Sequence, residues 1–180
     1  MKYILSLMLV FSSLAMAQDD AASKPPPCST DQYRQFDFWI GDWTVTSKNA
    51  DGQDQLAGHN LIKPIHNQCA LQENWTSAGA TMVGSSFNIY DKANDKWHQT
   101  WVDSNGTLLE LDGGFQDGSM VLSGQRPARD GSGMVTHRIS WTPNADGSVR
   151  QLWEASKDGN SWKALFDGLY RKTEGPAPGE

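Results

Sequence analysis

Glu73, Asp103 and His137 are the side chains of this 180-residue sequence whose types best suit acid/base chemistry. A carboxyl group beside an imidazole in an apolar setting can act as a general acid/base pair, because desolvation moves the carboxyl pKa toward neutral pH. Either carboxyl group with His137 would suit an isomerase or a hydrolase. A serine nucleophile is disfavoured, because the segment VGSSF lies inside a predicted strand and not at a strand-to-helix turn.

Histidine spacing gives no metal-binding motif. The four histidines are His59, His66, His98 and His137. None of them forms an HxxxH or HExxH pattern, so a zinc site would require residues distant in sequence to meet in space. A haem would need a single buried ligand, for which His66 and His137 are the candidates. The sequence therefore predicts no metal and no cofactor. A zinc site formed by distant residues and a haem bound by His66 or His137 remain open alternatives.

The elements that must position these side chains are predicted to be strands, because turn pairs such as Asp117-Gly118 recur between segments rich in β-branched and aromatic residues. Ser29 and Gln32 form a capping-box pattern that predicts a short helical turn before the first strand. The predicted strands are 37–47, 56–65, 68–77, 80–91, 95–103, 106–112, 118–124, 133–142, 148–156 and 161–171. A meander of this length must close, because open strand edges promote aggregation. We therefore predict an all-β fold, an antiparallel meander closed into a lipocalin-like β-barrel of about eight to ten strands.

Alternation along each strand allows the inward face to be predicted. Choosing the more apolar face places all eight tryptophans inside the barrel. The inward sets are Trp39, Gly41, Trp43 and Val45; Leu71, Glu73 and Trp75; Trp97, Gln99, Trp101 and Asp103; Val135, His137, Ile139 and Trp141; Val149, Gln151 and Trp153; Trp162, Ala164, Phe166 and Tyr170. If Met82 also faces inward, the fourth strand adds Ser86, Asn88 and Tyr90.

Large apolar walls with a few polar groups are typical of a small-molecule pocket. The predicted ligand-binding residues are Glu73, Trp75, Asn88, Trp97, Gln99, Trp101, His137, Trp141 and Trp153. We expect them to hold a small apolar or amphipathic molecule. Two alternatives remain, a barrel filled by its own tryptophans and a recognition surface of exposed tryptophans for sugars or peptides.

Residues 1–17 have the layout of a secretory signal peptide, with Lys2, an apolar run and a small-residue cleavage site after Ala17. We expect a polar, proline-rich linker over 18–28, one barrel domain over 29–172 and a flexible tail over 173–180. The apolar run is too short to span a bilayer. The sequence thus predicts a periplasmic or secreted protein without stable membrane insertion.

Cys28 and Cys69 are the only cysteines, and an even pair in an exported chain predicts a disulfide. The formal net charge of −6 argues against nucleic acid and anionic lipid as partners, because both require a basic surface.

The segment FDFWIGDWTV contains Gly41-Asp42-Trp43, which resembles the GxW signature that opens the first strand of lipocalin-type (calycin) barrels. Together with SFNIYDKANDKWHQTWVDSNG, it also resembles the DUF1579 group of exported bacterial proteins of unknown function. The resemblance covers roughly residues 33 to 172 and implies a barrel that binds a small molecule. It also implies that Trp43 closes the barrel floor and that Arg171, near the end of the last strand, stacks on it.

Overall fold

Ten antiparallel strands form a closed barrel in the computed structural model, which describes residues 25–173. The strands are β1 (Gly41–Lys48), β2 (Asp54–Ile65), β3 (Ala70–Ser77), β4 (Val83–Asp91), β5 (Lys96–Asp103), β6 (Leu108–Gln116), β7 (Ser119–Pro127), β8 (Met134–Pro143), β9 (Val149–Ser156) and β10 (Lys163–Lys172). Each strand pairs with its neighbours in sequence, and β1 pairs with β10 to close the ring. The predicted fold class is confirmed.

Turn chemistry explains why the strands begin and end where they do. Between β6 and β7, Asp117 and Gly118 both have positive φ, 49° and 80°. Positive φ at both central residues is typical of the two-residue turn that matches the twist of a hairpin. The predicted strand bounds are accordingly close to those of the structure along most of the chain.

The first strand begins later than predicted, because a short 3₁₀ helix occupies Asp37–Trp39. A preceding 3₁₀ helix covers Asp31–Arg34, which confirms a helical turn before β1. The predicted capping box is not formed, since Thr30 is the N-cap residue and no side chain caps the helix. A third 3₁₀ segment, Ala78–Ala80, lies between β3 and β4.

Aromatic side chains from the segment before β1 fill one end of the barrel, here called the closed end. Phe36 and Trp39 are fully buried, and their ring centroids are 4.8 Å apart. The ring of Phe36 also packs edge-on against Trp97 and Trp141, at 5.6 and 5.2 Å. The Nε1–H of buried Trp43 donates a 2.8 Å hydrogen bond to the carbonyl of Trp39. The barrel floor is thus a packed aromatic cluster.

A disulfide attaches this segment to the rest of the closed end. Cys28 and Cys69 are bonded, with their Cα atoms 5.1 Å apart, as predicted. In addition, Arg34 Nη1 donates a 2.8 Å hydrogen bond to Gln68 Oε1 in the connection between β2 and β3. The two cysteines are 41 residues apart in the sequence. Closing a loop of this length stabilises the fold by about 4 kcal/mol in the chain-entropy description.

The predicted contact between Trp43 and Arg171 is not formed. In the pairing of β1 with β10, Trp43 lies opposite Lys172 and Thr44 lies opposite Arg171. Because side chains alternate between faces, Lys172 shares the face of Trp43, and Arg171 shares the outward face of Thr44. The Nζ of Lys172 lies 3.7 Å from the Trp43 ring centroid. The cation that packs on Trp43 is therefore Lys172, one residue after the predicted Arg171.

The predicted inward positions of Trp162 and Ala164 are wrong, because a β-bulge interrupts β10. Ala164 pairs with Glu154 and Phe166 pairs with Trp153, which leaves one extra residue between them. The bulge reverses the alternation, so only the part of the strand after it follows the predicted inward face. Trp162 instead lies on the outer surface, where the Arg138 guanidinium is 3.9 Å from its ring centroid.

The predicted signal peptide lies outside the described residues, as do most of the predicted linker and C-terminal tail. Among residues 25–173, no helix is long and apolar enough to cross a membrane.

Candidate functional site

The half of the barrel away from the closed end is hollow. Here, toward what we call the open end, lies a cavity of about 190 Å³. Its lining residues are Glu73, Trp75, Met82, Gln99, Trp101, Leu109, Ile139, Gln151, Trp153, Leu165, Phe166 and Tyr170. An apolar cavity of about 150 Å³ is large enough for benzene, so this one has room for a small ring compound.

Glu73 on β3 is the centre of the polar wall of this cavity. It is 4% exposed, and each carboxylate oxygen accepts one hydrogen bond from a neighbouring strand. Asn60 Nδ2 on β2 donates to Oε1 at 2.7 Å, and the Ser86 hydroxyl on β4 donates to Oε2 at 2.6 Å. These donors keep a carboxyl group inside the barrel that would otherwise be costly to bury.

The hydrogen bonds continue from Glu73 in two directions. On one side Asn88 Nδ2 donates to Ser86 Oγ at 2.8 Å, and Gln99 Nε2 donates to Asn88 Oδ1 at 2.7 Å. On the other side Asn60 Nδ2 also lies 3.3 Å from the Tyr170 hydroxyl, which donates to Gln151 Oε1. We call these residues the Glu73 network: Asn60, Glu73, Ser86, Asn88, Gln99, Gln151 and Tyr170.

Burial controls the protonation of the two ionisable groups in the network. It raises the pKa of Glu73 from 4.5 to about 7, and the hydrogen bonds from Ser86 and Asn60 oppose this shift. It also raises the pKa of Tyr170 well above its ordinary value, with the charge of Glu73 adding to the effect. Glu73 therefore changes charge near neutral pH, while Tyr170 remains a neutral phenol there.

The rest of the cavity wall is largely aromatic, and neighbouring glycines allow its rings to lie against the backbone. A Cβ atom at Gly84 would be 2.3 Å from the ring of Trp101, and one at Gly58 would be 2.7 Å from the ring of Trp75. Any larger residue at these two glycines would therefore displace an indole. Phe166 packs edge-on against Trp75, with ring centroids 6.0 Å apart.

Of the nine predicted ligand-binding residues, the structure brings five to the cavity wall. These five are Glu73, Trp75, Gln99, Trp101 and Trp153. Asn88 is fully buried behind the wall, where it connects Gln99 to Ser86. Trp97 and Trp141 pack against Phe36 in the closed end and do not line the cavity. A residue on the inward face of its strand can therefore lie either in the closed end or at the cavity, and alternation does not tell which.

His137 lies behind Trp153, whose Nε1–H donates a 3.1 Å hydrogen bond to its Nδ1. Burial lowers the pKa of His137, with a further contribution from the charge of Arg126, so the imidazole is neutral at pH 7. Asp103 accepts a hydrogen bond from Trp101 and caps the turn after β5 through the backbone N–H of Asn105. Neither Asp103 nor Glu73 is hydrogen-bonded to His137, so the structure does not form the predicted acid/base pairs.

Four polar members of the Glu73 network were not among the predicted ligand-binding residues: Asn60, Ser86, Gln151 and Tyr170. Ser86 lies on the face of β4 that was expected inward together with Met82. Gln151 and Tyr170 lie on faces predicted as inward, and their polar ends could have been noticed there. Asn60 lies on β2, for which no inward face is predicted from the sequence. Its alternation of Gly58, Asn60 and Ile62 on the buried side was the available signal.

Within residues 25–173, no group of three or more His, Cys, Asp or Glu side chains is arranged to hold a metal ion. No protein-family model matches the chain. A search of curated proteins likewise finds none similar to it.

Proposed function

We propose that this protein is a small-molecule-binding barrel that holds one apolar or amphipathic molecule in the cavity at its open end. The observation that carries the proposal is the combination, in one cavity, of an aromatic wall and a buried polar network centred on Glu73. Such a combination is typical of ligand sites, where apolar surface supplies affinity and a few polar groups orient the ligand.

The contrast with the closed end supports this proposal over a barrel that is filled by its own side chains. A cavity and a buried carboxyl group each lower the stability of a folded protein. Here both occur in the same half of the barrel, whereas the other half is densely packed. Destabilising features that coincide are expected at functional sites.

We also propose that the protein is exported. The signal-like sequence of residues 1–17 and the Cys28–Cys69 disulfide both support an oxidising compartment outside the cytosol. The closed barrel, with its GxW-type opening at Gly41, supports placing the chain with the DUF1579 group. The proposed activity is binding alone, because His137 is not paired with either candidate carboxyl group.

Native mass spectrometry of the protein purified from its own host tests the proposal. We expect the wild type to carry an additional small mass that is lost on denaturation. Met82→Trp should remove this mass, because the larger side chain fills the cavity that Met82 lines. Met134→Trp is the matched control, since Met134 is 50% exposed and is not among the lining residues.

A bare-chain mass for the wild type would contradict the proposal. So would equal retention by the two variants, because the additional mass would then be bound elsewhere on the protein.

A further inference from the structure

The cavity has a single acidic group and no basic group in its wall. None of its twelve lining residues is Lys, Arg or His. Among the described residues, the hydrogen bonds to the Glu73 carboxylate come from two neutral side chains, Asn60 and Ser86. A carboxylate can accept about four hydrogen bonds, so both oxygens have capacity for a further donor. The ionised form of Glu73 therefore lacks a counter-charge.

Aromatic rings line the same cavity as this carboxylate. Trp75 is two residues from Glu73 on the same face of β3, and both line the cavity. Trp101 on β5 lies directly opposite Ser86, which donates to Glu73. Trp153 and Phe166 pair with each other across β9 and β10 and line the same space. The faces of such rings attract cations, most strongly where water is excluded.

We infer that the ligand of this cavity is a protonated amine with a small apolar body, its ammonium group bound to the Glu73 carboxylate and its body packed among the tryptophans. The inference deepens the proposed function and rests on it. An ammonium group donates to the free positions of the carboxylate and neutralises its charge. A carboxylate ligand would instead bring a second negative charge beside Glu73.

The same geometry predicts how binding depends on pH. Tyr170 on β10 is the titratable group that faces Glu73 within the network, and it stays neutral in the working range. From β2 and β4, Glu73 is met by the uncharged side chains of Asn60 and Ser86. His137 on β8 is neutral behind Trp153, and the charge of Arg126 acts on that imidazole. Preference for an amine should therefore be full at pH 8 and decline as Glu73 takes up a proton near pH 7.

The test compares three probes of nearly equal shape by isothermal titration calorimetry at pH 8: benzylamine, benzyl alcohol and benzoate. We expect the wild type to bind benzylamine at least about tenfold more tightly than benzyl alcohol, and benzoate most weakly. In Glu73→Gln the preference should be lost, and the amine and the alcohol should bind within about twofold of each other. Thermal unfolding of the variant checks that it is folded.

Each outcome decides a separate point. Equal binding of amine and alcohol by the wild type would overturn the inference and leave the proposed function standing. Tightest binding of benzoate would do the same, as would an undiminished preference for the amine in folded Glu73→Gln. If none of the three probes binds, the proposed function fails together with the inference. The comparison of probes on the wild type needs no variant, so it remains decisive if Glu73→Gln does not fold.

Discussion

The two ends of this barrel contain the same kind of residue in different settings. In the closed end, Trp39, Trp43 and Trp141 are fully buried, and the rings of Trp39 and Trp141 pack against Phe36. In the open end, Trp75, Trp101 and Trp153 line a cavity of about 190 Å³, and the latter two are partly exposed. The strands place tryptophans inward at both ends, so strand alternation is not what separates a packed core from a cavity.

The difference comes from the segment that precedes β1. Two short 3₁₀ helices carry Phe36 and Trp39 into the closed end, and the Cys28–Cys69 disulfide holds their N-terminal side against the β2–β3 connection. No equivalent segment among the described residues enters the open end, where the Glu73 network occupies the wall instead. The segment of about two helical turns before β1 therefore decides which aromatic residues serve stability and which are free to contact a ligand.

Removing one tryptophan from each end tests this comparison most severely. Trp39→Ala should lower the free energy of unfolding by roughly 3–5 kcal/mol, because a cavity forms in a packed aromatic cluster. Trp101→Ala should cost only about 1–2 kcal/mol, because its ring is partly exposed and borders an existing cavity. Urea unfolding of both variants measures the difference. Equal losses in the free energy of unfolding would mean that the two ends are packed alike, which would contradict the difference drawn between them.

The pH dependence of stability sharpens the comparison, because the open end contains a buried acid. Folding raises the pKa of Glu73 from 4.5 to about 7, so between these values the folded protein keeps a proton that the unfolded chain has released. The stability of the wild type should therefore fall as pH rises from 4.5 to 7 and then level off. The pKa difference corresponds to about 3 kcal/mol.

The stability of Glu73→Gln should not show this fall between pH 4.5 and 7. The contributions of all other titratable groups are the same in the two proteins and cancel in the comparison. Urea unfolding of wild type and variant at pH 4.5, 6 and 8 gives the required curves. Parallel curves would show that Glu73 is solvated in the folded protein, and the open end would then contain no buried acid.

The smallest expected effect concerns the cation at the closed end. Lys172→Met removes the ammonium group from the face of Trp43 and its hydrogen bond to the Ile40 carbonyl. We expect a loss of about 1 kcal/mol in the free energy of unfolding. Arg171→Met is the matched control and should change stability by less than about 0.5 kcal/mol, because Arg171 is exposed on the outer face. A larger loss in the control, measured by thermal unfolding, would contradict the register of β10.

Most of the fold could be predicted from the sequence because its signals are local. Turn pairs such as Asp117-Gly118 mark the connections, and the number of strands follows from them. The register of β10 could not be predicted, because a bulge adds a residue without a distinctive sequence. For that reason Ala164 and Trp162 are predicted on the wrong face. The expected contact of Arg171 with Trp43 has another origin, the resemblance to lipocalins, because alternation from inward Tyr170 already places Arg171 outside and Lys172 on the face of Trp43.

The candidate site could be predicted only in part, because its members are determined by position along the barrel axis as well as by face. Alternation, combined with the choice of the more apolar face of each strand, predicts Glu73 and Trp101 on the inward face. Trp97 and Trp141 satisfy the same rule but meet Phe36, and no pattern in their own strands indicates that a preceding helix covers them. Asn60 is not predicted, because the β2 segment has no Phe, Tyr or Trp residue to mark its inward face.

The pairing of β1 with β10 has a consequence for how the barrel assembles. The first strand finds its second partner only in the last one, so the ring cannot close on a nascent chain until residues through Lys172 have emerged. Contacts between such distant parts of a chain form slowly, because the loop entropy must be overcome first. We therefore expect closure, and with it the final packing of Trp43 beneath Lys172, to be a late step of folding, during which the unpaired edges of β1 and β10 are the segments most exposed to aggregation.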